Sequence, residues 1–259
     1  MNAAGIAEVF DPDGAGEECI QKGATVTDTG VRRPSIPSLQ TIRPGRLNYR
    51  DGLQLQLTLL ARRRLGGNEW LVLLEHDPVI TLGRGARPEH LLCTRAELAA
   101  AGIDCQTVSR GGDVTYHGPG QLVGYPIVHL DLVDRDLHRY LRALETALIE
   151  ALVSFDLPAT RHPRYTGVWV AGRKIAAIGV AVRHWISWHG FALNINTDLA
   201  AFNRLVPCGL HQVQTTSMEQ LLGTQLSLRL VNERIVRSFA RVFDLDLVGD
   251  YESPLPPQT

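Results

Sequence analysis

The hydrophobic positions of this chain alternate between two rhythms, and the changes of rhythm mark its elements. Leu53, Leu55, Leu57, Leu59 and Leu60 fall within residues 49–65, a stretch that runs into Gly66 and Gly67; the pattern predicts a helix closed by glycine. Residues 70–75 and 79–82 read as short strands separated by Pro78. Thr94 followed by Glu97 is a capping-box pair that opens a short helix, and Gly102 ends it. Residues 121–130 are strand-like. Residues 138–155 carry the strongest helical period, with Leu141, Leu144, Leu148, Leu152 and Phe155 on one face. A hairpin follows, made of residues 168–170, a turn at Ala171 and Gly172, and an apolar strand over 174–182. Residues 186–195 form a further strand, and 198–205 and 226–243 read as helical. Strands and helices interleave without a strict βαβ rhythm or a repeat, so the expected class is α/β: a single mixed sheet with helices packed on it.

The first forty residues share neither rhythm. They are rich in Gly, Pro, Ser, Thr and Asp and carry six acids against three bases. We expect a flexible N-terminal extension over residues 1–40 and one catalytic-size domain over 41–259. The whole chain, 259 residues with a net charge of -1, lacks the basic excess of a nucleic-acid binder. It also lacks an apolar run long enough to span a bilayer, or a basic-then-apolar leader. Neither nucleic acid nor a membrane is an expected partner, and the expected compartment is the cytoplasm. Four cysteines (19, 93, 105 and 208) form no CxxC pair, so no metal site is expected. Among 26 basic residues only Lys22 and Lys174 are lysines.

Three segments carry candidate chemistry. The first is Arg110, Gly111, Gly112, Asp113, Val114, Thr115, Tyr116 and His117, continuing through Gly118, Pro119 and Gly120. Glycines at this density let backbone approach a ligand, although an ordinary glycine loop between strands has the same look. It matches neither a P-loop nor a dinucleotide fingerprint. The second surrounds Lys174, with Ala176, Ala177 and Gly179 leaving room beside the strand for a narrow apolar ligand. In an arginine-rich chain a lone lysine is suggestive, because lysine can act as a base and arginine cannot; a solvated turn lysine is the ordinary alternative. The third is Pro207, Cys208 and Gly209, a turn able to project a thiol, where a buried structural cysteine is the commoner case.

Taken in this order, the segments resemble the octanoyl-(acyl carrier protein):protein N-octanoyltransferases, also called lipoate-protein ligase B. The resemblance runs from Tyr49 and the Glu75-His76-Asp77-Pro78-Val79 stretch through Thr81 to Arg84, the glycine segment, and Tyr125 to Ile127. It continues through Lys174 to Gly179 and His189 to Asn194 and ends at Pro207-Cys208-Gly209, covering about residues 45–245. It implies the fold of biotin and lipoate ligase catalytic domains and an octanoyl transfer without ATP or any cofactor. It also implies a substrate-binding loop at residues 110–117, acyl contacts at Ala177, Ile178, Gly179, Gly190, Phe191 and Ala192, Cys208 as acyl carrier and Lys174 as its partner base. The implied donor is octanoyl-acyl carrier protein. The implied acceptors are lipoyl domains of 2-oxoacid dehydrogenases and the glycine cleavage H protein. Arg62, Arg63, Arg64, Arg87, Arg110, Arg173 and Arg183 are candidate contacts for such acidic partners. Two rivals stand beside this reading: an ATP-dependent lipoate or biotin ligase of the same fold, which would not need Cys208, and a non-catalytic module that binds lipoyl domains.

Overall fold

The computed structural model describes residues 36–206 and 213–252. In chain order the strands and helices are β1 (Ser38–Leu47), α1 (Tyr49–Arg64), β2 (Glu69–His76), β3 (Val79–Leu82), α2 (Arg95–Ala100), β4 (Asp104–Thr107), β5 (Val114–His117), β6 (Gln121–Ile127), α3 (Leu137–Val153), β7 (Thr160–Arg161), β8 (Val168–Val170), β9 (Arg173–Arg183), β10 (Ile186–Asn194), α4 (Met218–Leu222), α5 (Leu228–Val242) and β11 (Asp246–Asp250). Eight strands form one mixed sheet in the order β11-β1-β2-β6-β10-β9-β8-β7. Its β11-β1-β2 end is parallel and the rest antiparallel. A second sheet of three strands, β4-β3-β5, stands beside it and was not foreseen as separate.

Helices cover both faces of the large sheet. On one, Tyr140, Leu144, Leu148 and Leu152 of α3 and Val231, Ile235 and Phe239 of α5 bury Leu71, Leu73, Leu122, Phe191 and Leu193. On the other, Leu55, Leu59 and Leu60 of α1 pack on Val72, Leu74, Val123, Tyr125 and Ala192. Central strands covered on both sides are buried along their whole length, as in β6, so they read as unbroken apolar runs. Among the described residues no helix is long and apolar enough to cross a membrane.

Most predicted elements lie within two or three residues of the observed ones, and the departures have causes. β1 was missed. Its pairing with β2 shifts register between Ile42 and Gly45, with Pro44 inside the shift, and proline in a strand is tolerated at such bulges. Because β1 begins at Ser38, the last three residues assigned to the extension belong to the sheet. The strand expected over 121–130 ends at Ile127, where the Glu69 carboxylate accepts the His129 N–H at 2.9 Å and the chain turns. The helix expected over 198–205 is only a 3-10 turn, Leu199–Arg204, because Leu205 is drawn out to bridge Leu91.

Candidate active site

The glycine segment and strands β9 and β10 of the large sheet meet at one cleft, which together with its solvent-open mouth takes in about 500 Å³. Where β9 and β10 border this cleft the residues on the α1 side are small, and they stand opposite one another: Ala177 pairs with Ala192 and Gly179 with Gly190. The floor is therefore a trench of backbone and methyl groups. Ile178 and Phe191 also line the cleft, yet their side chains belong to the core on the α3 side, so they contribute main chain. Phe191 folds over its cross-strand partner Gly124, where any side chain would collide with the ring.

Residues 110–113 form the roof. The Gly111 N–H donates to the Val180 carbonyl at 2.9 Å, and Gly83, Arg84 and Gly85 donate to the carbonyls of Asp113, Arg110 and Gly112. A Cβ at Gly83 would run into the Gly112 carbonyl, which accounts for glycine there. The buried Arg110 guanidinium donates to the Thr81 carbonyl and hydroxyl at 2.7 and 2.8 Å. Arg110 thus holds the roof together and is not available as a surface contact. Arg63 is likewise engaged, by two bonds to Glu69. Thr115 and His117 of β5 line the cleft, as does Val114. Tyr116 points elsewhere, its ring edge-on to Phe202 at 5.8 Å.

Beneath the cleft lies a polar layer in which His117 is the one side chain that the sequence placed at the site. His76 donates Nδ1–H to the Leu47 carbonyl at 3.0 Å, so its Nε2 accepts from the Tyr125 hydroxyl at 2.6 Å. Gln121 gives its amide N–H groups to the Tyr116 carbonyl and the Asn194 side-chain oxygen, so its own oxygen accepts from His117 Nδ1 at 2.8 Å. His189 adopts φ +55, which a residue other than glycine holds only at a cost of about 1–3 kcal/mol. The Gln56 side chain from α1 accepts the His189 N–H at 2.8 Å, and Ser109 meets the ring at 3.1 Å. Burial pushes His76 down to about 4 and His117 and His189 to about 3; nearby His76 and Arg110 add to the effect on His117, and Arg110 to that on His189. Three neutral histidines and the buried phenols of Tyr49, raised to about 12, and Tyr125, pushed well above the usual phenol value by burial, make this layer uncharged at neutral pH. A polar residue recurring inside apolar strand patterns, as at His76 and Tyr125, was the available signal.

Lys174 is the second residue of β9 and is only 6% exposed. It lines a smaller cavity of about 300 Å³ that shares Thr115, Ala177 and Ala192 with the trench. Its backbone is clamped from the far side: its N–H donates to Gln214 at 2.8 Å and its carbonyl accepts from Thr216 at 2.9 Å. Thr215 and Phe202 continue into an outer cleft that also contains Val206 and Val213. Cys208 lies between these two, outside the described residues. The chain entering this segment is itself anchored, because Val206 donates to the His90 carbonyl at 2.8 Å and the His90 ring bonds the Asp113 carboxylate at 2.5 Å. Among the described residues no cluster of side chains suits a metal ion, and Cys93 and Cys105 have thiols pushed up chiefly by burial.

Comparison with known proteins decides the family. Residues 48–240 match the lipoyl protein ligase A/B catalytic domain. An octanoyltransferase of Solibacter usitatus is 51% identical over 205 residues, which are 79% of this chain and 92% of the relative. The chain belongs to the octanoyltransferase family. A Rubrobacter xylanophilus octanoyltransferase is 50% identical over 77% of this chain and 90% of its own. Among solved structures, lipoate-protein ligase A bound with ATP superposes with a TM-score of 0.70 over 84% of this chain and 89% of the other, at 18% identity; that likeness concerns the fold. As a member of the octanoyltransferase family the protein is an acyltransferase, and the resemblance read from its motifs stands.

Proposed function

We propose that this octanoyltransferase-family protein moves an octanoyl group from octanoyl-acyl carrier protein to a lysine of a lipoyl domain, through a thioester on Cys208. One observation carries the reading: the narrow trench between β9, β10 and residues 110–113 adjoins the cavity of Lys174, which in turn adjoins the cleft holding both flanks of the Cys208 segment.

In the first half-reaction the Cys208 thiolate adds to the donor carbonyl, and the carrier's thiolate leaves and takes a proton from the Lys174 ammonium, which is then neutral. In the second, the acceptor amine displaces Cys208 and loses a proton to Lys174. A free thiol titrates near pH 8.5, so the Lys174 ammonium would enlarge its thiolate fraction. Exchange of thioesters followed by conversion to an amide needs no ATP. The trench suits the alkyl tail, since its floor offers methyl groups and backbone whose N–H and C=O groups are already paired across β9 and β10.

Intact-mass analysis after incubation with octanoyl-carrier protein tests this directly. The protein is expected to gain one octanoyl mass that hydroxylamine removes, and Cys208→Ala to gain none. An adduct retained by Cys208→Ala would overturn the thioester.

A further inference from the structure

Beyond Cys208 and Lys174, we propose that Glu145 is a positioning residue for Lys174, acting through the backbone of Gly167. Glu145 sits on α3 with no exposed surface, an unusual place for a carboxylate. One of its oxygens accepts from Arg142 at 2.7 Å and Arg161 at 3.1 Å, both arginines being about half exposed. The other accepts the N–H of Gly167 at 3.0 Å.

Gly167 is where this pairing reaches the site. It has φ +127, and a Cβ there would lie 2.6 Å from the Ala176 carbonyl and 2.8 Å from Cε of Lys174. Its main chain is thus packed against the last methylene of the lysine. The register of β8 on β9 shifts immediately afterwards, between Val168 and Trp169, so that Trp169 stands opposite Lys174. The indole ring lies 5.7 Å from the Lys174 ammonium. Glu145 therefore pulls the strand entry inward, and the strand entry confines the side chain of Lys174 between Gly167 and Trp169. An acceptor at this point is what the geometry needs. The negative charge serves the two arginines.

The effect on rate rests on the proposed role of Lys174, so the test reads position apart from activity. Only Lys22 and Lys174 are lysines, so labelling lysine Cε with carbon-13 gives a two-signal spectrum of the full chain. Lys174→Arg assigns it by removing one signal. In Glu145→Ala the Lys174 signal is expected to lose its displacement by the indole ring, and single-turnover transfer to the lipoyl domain to fall about tenfold or more with acceptor KM within about twofold. Glu145→Gln keeps the acceptor and is expected to keep the signal and most of the rate. Arg161→Met removes one of the two arginines paired with Glu145 and leaves the bond to Gly167; it should lower Tm while leaving signal and rate per folded molecule unchanged. If Glu145→Ala does not fold, Gly167→Ala supplies the second variant, since its methyl presses on Cε with the ion pairs intact. An unmoved Lys174 signal in a folded Glu145→Ala or Gly167→Ala, or an equal shift in Arg161→Met, overturns the proposal. A moved signal with unaltered transfer supports the positioning and refutes the role of Lys174 in transfer.

Discussion

At the scale of single residues, the trench makes chain-length preference a matter of carbon atoms at four positions. A methyl at Gly179 would stand 3.0 Å from the Gly111 carbonyl and 3.2 Å from the Arg110 side chain, so it would fill space that the acyl tail needs. Gly179→Ala is expected to lower kcat/KM for octanoyl donor about fourfold for each methylene it excludes, at about 0.8 kcal/mol per methylene, and to spare hexanoyl donor. Competition between the two donors measures it; an unchanged ratio would place the tail elsewhere. Lys174→Arg separates two roles of that residue. The guanidinium keeps a cation beside the thiol but does not release a proton near neutral pH. Acylation of Cys208 should survive in part, while transfer to the lipoyl domain drops by about 10² or more. Near-normal transfer would assign Lys174 to charge alone. Here the sequence was most legible: lysine in an arginine-rich chain and the small residues beside it drew attention without coordinates, and both border the joined cavities, while Pro207, Cys208 and Gly209 lie outside the described residues. His76, His189, Gln56 and Glu145 did not, because their meaning lies in partners far away in sequence, such as Gln56 with His189.

At the scale of elements, apolar period located the helices and central strands, since each is packed on a defined face. It failed where pairing, not period, makes the element. β1 carries Pro44 and five polar positions, so its apolar residues show no period, and its bonds to β2 and β11 make it a strand. This moves the boundary of the dispensable N-terminus. Removing residues 1–35 is expected to keep turnover within about threefold. Removing 1–40 also takes Leu39, which is fully buried, and loss of such a side chain costs about 2–5 kcal/mol. Denaturant titration of the two truncations checks this; equal midpoints would contradict it. The link from Asp113 through His90 to Val206 joins the roof of the trench to the chain that leads into Cys208. Asp113→Ala is therefore expected to slow acylation of Cys208 several-fold even with saturating donor, as single-turnover kinetics would show. An effect confined to donor KM would restrict Asp113 to the roof.

For the whole molecule, the neutral layer beneath the cleft sets a limit on the acid side. His76, His117 and His189 have folded values near 4, 3 and 3 against an ordinary 6.5. Between about pH 6.5 and pH 4 the unfolded chain takes up protons that the folded protein refuses, so stability rises with pH through this window. Above it these groups are neutral in both states and contribute no slope. Tm is expected to be level from pH 8 to 7 and to decline steadily from pH 6.5 downward. A Tm constant to pH 5 would mean that the layer admits charge.

The trench floor has one more consequence. β10 is bonded to β6 on one side and to β9 on the other, and the outer edge of β9 is held by β8 as far as Ala176 and by the Gly111 N–H on the Val180 carbonyl beyond it, so the surface under the acyl tail is held from both sides. A seat built this way cannot bow to admit a longer guest, as a pocket between loops or helix ends can. Its fit is graduated in whole carbon atoms, and divergence in acyl length among related chains should appear as discrete exchanges of Gly, Ala or Val at positions 177, 179, 190 and 192, with the strands themselves unmoved.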